Sequence, residues 1–168
     1  MLARSAMNRP PAVDDLAGRL PPKARLIGID LGTRTIGLAV SDVERRLASP
    51  LRTLPRTTFQ KDADALVAIL SEFAIAAVVI GLPLDLEGQM NQRTQSTRAF
   101  GRNLATRTNL PIAYWDERFS TAVVLRSLIE NDVSRARRAE VIDKMAAAYI
   151  LQGALDRLSA LAGPKDAG

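Results

Sequence analysis

Residues 25–42 read RLIGIDLGTRTIGLAVSD and set one carboxylate, Asp30, inside a run of small and apolar side chains. Such a run predicts a buried strand, where an uncompensated carboxylate is costly. Two further acidic positions attract attention. The strand pattern PIAYWDE (111–117) ends in Asp116 and Glu117, which point to opposite faces, so only one of them can share a site with Asp30. Asp143 heads a helical stripe continued by Ala146, Ala147, Ile150 and Ala154. Each acid has a plainer reading, as a turn cap, a helix cap or a complement to the helix dipole. Taken together, they suggest a cluster, and carboxylates brought close repel unless protons or cations neutralise them. The chain has no His and no Cys, which excludes thiol chemistry, disulfides, Cys/His zinc sites and the commonest general base. Oxygen-only ligands suit a hard cation, Mg2+ or Mn2+. Two such ions ~4 Å apart can clamp an in-line phosphoryl displacement.

The elements that must position these acids follow from periodicity. Apolar residues alternate at Ile27, Ile29 and Leu31, and again at Ile36, Leu38 and Val40, around a Gly32-Thr33-Arg34 turn, predicting a hairpin. Its other face carries Leu26, Gly28, Asp30 and Gly32 on one strand and Thr35, Gly37, Ala39 and Ser41 on the next. Asp30 should therefore stand over a floor of small residues. A third short strand is expected near 47–54. A helix follows from the spacing of Ala65, Leu66, Ile69, Leu70 and Phe73, then a fully apolar strand over 76–83. Further helices are expected over 92–106, 121–130 and 138–160, with a strand over 111–117. Three hairpin strands followed by strand–helix alternation imply an α/β protein with a mixed sheet.

Residues 1–24 contain two Pro-Pro pairs and no sustained periodicity, and are read as a flexible tail with one helical turn near 14–20. The folded domain is expected over 25–160, with a second flexible tail over 161–168. With 168 residues, one domain can bury about two thirds of the surface of its unfolded chain. No stretch has the length and apolarity of a membrane span, and the N-terminus lacks a secretion signal, so a cytoplasmic protein is expected. The net charge is +5, and Arg supplies 19 of the 23 basic residues. Between positions 91 and 138, nine Arg stand against four acids. Because the guanidinium fork matches phosphate, this excess points to a nucleic-acid partner.

Four ordered blocks, GIDLGTRTIGLAVSD, VVIGLPLDLEGQMNQRTQSTRAF, WDERFST and IDKMAAAYIL, resemble the YqgF family. Its members are small RNase H-like proteins described as Holliday junction resolvases and as nucleases that mature pre-16S rRNA. The resemblance implies a five-stranded mixed sheet flanked by helices and an acidic metal site at Asp30, Glu117 and Asp143. Resolvases of the same superfamily carry another acid about three residues after the helical one, where this chain has Ala146. The expected function is a metal-dependent endonuclease processing the 5′ end of pre-16S rRNA, with junction resolution as the alternative. A non-catalytic RNA- or ribosome-binding module remains the reading from another class. A third class, a phosphotransferase, is suggested by the likeness of IDLGTRTIGLAV to the phosphate hairpin of actin, Hsp70 and sugar kinases, but the second domain these need does not fit. Candidate phosphate contacts are Arg34, Arg118, Arg135, Arg137 and Arg138, with residues 81–91 bordering the site. Tyr114 and Trp115 are read as packing residues, and both monomer and homodimer stay open.

Overall fold

The computed structural model describes residues 9–119 and 135–164, without the side chains of 119 and 135–140. The strands are β1 (Arg25–Leu31), β2 (Thr35–Ser41), β3 (Ala48–Pro55), β4 (Ile75–Leu82) and β5 (Ile112–Asp116). Among the described residues three helices, α1 (Phe59–Glu72), α2 (Gln92–Ala105) and α3 (Arg135–Ala162), accompany them. The sheet has the order β3-β2-β1-β4-β5. Its hairpin half is antiparallel, and β1 pairs in parallel with β4, as does β4 with β5. The mixed α/β sheet expected from the sequence is therefore present. The expected helix over 121–130 lies outside the described residues.

Period-two alternation divides the core. Ile27, Ile29, Ile36, Leu38, Val78 and Ile80 face α1 and α2, where they meet Leu66, Ile69, Phe100 and Leu104. The opposite face is built of smaller side chains, Ala39, Ala77, Val79 and Ala113, and receives Ala147, Ile150, Leu151 and Ala154 of α3. Small residues on both surfaces let α3 lie close to the sheet. Local signals define the other helices: the Thr58 side chain caps α1, and Asn91 and Thr94 form a reciprocal capping box at α2.

The N-terminal segment departs from the expected tail. Val13 and Leu16 are buried against α3 in a 3-10 turn, Val13–Leu16. The Tyr114 amide donates to Pro11 O at 2.8 Å, so the segment covers the outer edge of β5. Asp14 accepts from Arg157 Nε and Nη2 at 3.0 and 2.9 Å, and this pairing holds its carboxyl below the ordinary value. Proline-rich composition favours disorder in isolation, but two apolar side chains spaced by one turn find a partner face here. The last helix, expected from 138, begins three residues earlier, so the whole RARR stretch belongs to α3. Arg and Ala are both good helix formers. α3 also runs to Ala162, past the expected boundary at 160.

Candidate active site

Asp30 is the central residue. It pairs across the hairpin with Gly37 and is only 1% exposed. The parallel register of β1 with β4, which pairs Ile29 with Ile80, carried one residue further sets Gly81 on its other side. Both neighbours lack a side chain, and each is covered by one of the other two candidate acids. Over Gly37 lies the backbone of Asp143, whose carbonyl oxygen is 2.0 Å from where a Cβ would stand. Over Gly81 lies Glu117, whose Oε1 is 2.8 Å from the corresponding point. Asp143 and Glu117 thus flank Asp30 on the α3 face, each about one strand spacing, ~4.8 Å, to the side.

The local causes are legible. In β5, Ala113 and Trp115 face α3, so the next residue of the same parity, Glu117, turns the same way. Asp116 points to the other side and binds Arg118, with Nε–Oδ1 3.0 Å and Nη2–Oδ2 2.6 Å. Hydrogen bonding to Asp116 raises the Arg118 guanidinium above its ordinary value. The alternative left open between Asp116 and Glu117 is decided geometrically in favour of Glu117. Asp143 is half-buried, and its Oδ2 accepts from the Thr35 hydroxyl and lies 3.7 Å from where a Gly32 Cβ would stand.

The remaining sequence candidates fall around this centre. Arg34 is exposed in the turn between β1 and β2. That turn is braced by Arg56, whose amide donates to Arg34 O at 2.8 Å and whose guanidinium donates to Gly32 O at 2.7 Å. Arg118 braces the loop after β4 as well as Asp116, reaching Leu86 O at 3.5 Å. The side chains of Arg135, Arg137 and Arg138 lie outside the described residues. Tyr114 and Trp115 pack as expected, the first against Gly101 and the second against Gly153. Sequence reasoning missed Thr35, Gly81 and Arg56 as positioning residues. Thr35 had a signal, as the polar head of the small-residue face of β2, and Gly81 as the single glycine of an apolar strand.

The oxygen-only donors suit a hard divalent cation, and the glycines at 37 and 81 let Asp143 and Glu117 approach Asp30 from either side. Among the described residues no three acidic side chains form a closed ligand set. The Asp143 carboxyl is engaged with Thr35, and Glu117 lies over Gly81 rather than over Asp30.

A mixed sheet with this strand order, helices on both faces and acidic residues on central β1, just after β5 and on α3 defines the RNase H-like class. RuvC from T. thermophilus, solved in complex with a Holliday junction substrate, shares the fold with a TM-score of 0.51 at 15% identity, covering 83% of this chain and 96% of its own. A family model described as RuvX, Holliday junction resolvase, matches residues 24–157, and this chain belongs to that family. A relative from Methylocella silvestris, named "Putative pre-16S rRNA nuclease", is 60% identical over 146 residues, 87% of this chain and 91% of its own. One of the same name from Beijerinckia indica is 59% identical over 145 residues, 86% and 88% of the two chains.

Proposed function

We propose that this protein is a divalent-metal-dependent endonuclease of the cytoplasm that processes the 5′ end of precursor 16S rRNA. The observation that carries the reading is the placement of Asp30 between two glycines, with Asp143 over one and Glu117 over the other. Relatives near 60% identity named for this activity support the substrate. No described helix is long and apolar enough to cross a membrane.

Asp30, Glu117 and Asp143 are the residues that would hold the metal, which supplies water activation and charge neutralisation for in-line displacement at phosphorus. The rest is done by this chain's own groups. The glycines let the Asp143 backbone and the Glu117 side chain lie close on either side of Asp30, and burial around Asp30 strengthens electrostatic interactions there. Thr35 fixes the orientation of the Asp143 carboxylate. Arg34 on the rim, with Arg135, Arg137 and Arg138, would bind backbone phosphates and set the register of the strand.

Junction resolution is the second reading, favoured by the description of the family model. The place of a fourth acid is taken by Ala146, which is fully buried, and a carboxylate there would be costly. End-labelled precursor rRNA and a four-way DNA junction, each incubated with Mg2+ or Mn2+, separate the readings. Cleavage of the RNA by the natural protein, lost in Asp30→Asn, supports the proposal. Symmetric cleavage of the junction alone, by a dimer, would replace it with the second reading. RNA binding without cleavage under either metal would leave a non-catalytic module.

A further inference from the structure

Beside the carboxylates, the loop between β4 and α2 is built as a stiff hook. Asp85 Oδ1 accepts from the amides of Glu87 and Gln89 at 3.0 and 2.7 Å. The backbone adds Asp85 N to Gln89 O at 3.1 Å and Gly88 N to Asp85 O at 3.0 Å. Gly88 takes a φ of +80°, which a side chain would oppose. Arg118 then ties the hook to the end of β5. It donates to Leu86 O, lies against Gly88 and remains bidentate with Asp116. Arg118 directly follows Glu117, so the hook is fixed to the element that carries a catalytic candidate.

What the hook presents is unusual for so ordered a turn. Leu86 is 96% exposed, more than any other exposed large apolar side chain among the described residues, and Met90 at the loop's end is 45% exposed. A single exposed leucine on a floppy loop would need no explanation. Here polar side chains and a clamping arginine hold an apolar group out in water, on the loop that follows the strand carrying Gly81 and is tied to the residue after Glu117. The acids on either side of it, Asp85 and Glu87, are both exposed. They would repel a phosphate backbone, which leaves the uncharged face of a nucleobase as the matching surface. Apolar wedges of this size can separate stacked bases, and they do so without reading a hydrogen-bond pattern.

We propose that Leu86 is a wedge that packs against an unstacked nucleobase beside the scissile phosphate, directing cleavage to junctions between paired and unpaired RNA. This inference rests on the nuclease reading for its substrate, but its test does not require cleavage. Asp30→Asn protein is mixed with an RNA hairpin bearing a single-stranded flank, with 2-aminopurine placed in turn at each nucleotide around the junction. A rise in fluorescence on binding marks the base that leaves its stack. The rise is expected at one or two positions and should disappear when Leu86→Ala is added. The Kd should weaken about tenfold, as loss of one buried leucine contact implies. Leu86→Phe should restore the rise, which separates a wedge from a general fault in the loop. An unchanged rise in the Leu86→Ala protein would overturn the proposal. So would RNA binding and fluorescence unaffected by Leu86→Ala while association with ribosomal subunits is lost, since Leu86 would then dock on protein. If the natural protein fails to cut any RNA yet the Leu86-dependent rise is seen, the wedge stands and the nuclease reading falls.

Discussion

Replacing Gly37 by Ala puts one methyl group between the sheet and the helix that carries Asp143. The new carbon would stand 2.0 Å from the Asp143 carbonyl oxygen and 2.2 Å from its carbonyl carbon. Both are backbone atoms, so no side-chain rotation relieves the clash. Ordinary contact begins near 3.4 Å, so α3 must retreat by the difference, about 1.4 Å, at this residue. Overpacking of this kind costs about 1–3 kcal/mol. The displacement also draws the Asp143 carboxyl away from Thr35 and Asp30, and a misplacement of about 1 Å can cost ~10²-fold in rate. Gly28→Ala is the control, because its Cβ would press on the same helix further along, 2.8 Å from Ala147 O and 2.7 Å from Leu151 Cβ. Urea unfolding and single-turnover cleavage are measured on both variants. Both should lose stability, and only Gly37→Ala should lose activity by about a hundredfold in the folded protein. Equal activities in the two variants, once corrected for the folded fraction, would refute the idea that the Asp143 backbone must seat on Gly37.

Three further expectations follow from the same contacts. In Gly81→Ala the atoms nearest the new carbon are side-chain atoms, Ile150 Cδ1 at 2.5 Å and Glu117 Oε1 and Cγ at 2.8 and 3.2 Å, so thermal unfolding should change little while cleavage falls steeply; wild-type activity would remove Glu117 from the site. Thr35→Val deletes the hydroxyl that donates to Asp143 and should cost about 1–3 kcal/mol, as loss of a bond to a charged group does, with kcat reduced more than substrate KM is raised. Thr35→Ser should recover both. The lowered Asp14 carboxyl makes the N-terminal segment acid-sensitive: its stabilisation is present above the ordinary carboxyl value of 3.8 and is lost as pH falls through the folded value. Hydrogen exchange at the Tyr114 amide should therefore be faster in Asp14→Asn at about pH 6, and the difference should shrink as pH falls below 3.8 toward the lowered folded value; a difference that stays constant through acid titration would contradict the assigned role of the Asp14–Arg157 pair.

The parts of this site written in strict periodicity were readable from the chain. Alternation in β1 and β2 put Asp30 over small residues, and the register pairing Asp30 with Gly37 bears that out. Alternation in β5 limited the choice to one of Asp116 and Glu117, and the direction of Ala113 and Trp115 toward α3 selects Glu117. What stayed hidden depends on partners distant in sequence. Val13 and Leu16 look like two isolated apolar residues among prolines until α3 provides the surface that buries them. Thr35 and Asp143 are 108 residues apart, and no local pattern announces that a strand hydroxyl will orient a helix carboxylate. Gly81 reads as a strand irregularity until the Glu117 side chain is laid across it. α3 begins three residues ahead of the expected 138 because Arg135, Ala136 and Arg137 show no apolar periodicity, although they favour a helix.

The most direct test of the metal-dependent reading is Mn2+ binding followed by electron paramagnetic resonance in the natural protein and in Asp30→Asn, Glu117→Gln and Asp143→Asn, each checked for an unchanged circular dichroism spectrum. Saturable binding in the natural protein, weakened at least about tenfold by each of the three substitutions, is the expected result. Binding that survives any one of them at full affinity would show that the three carboxylates do not act on a common ion.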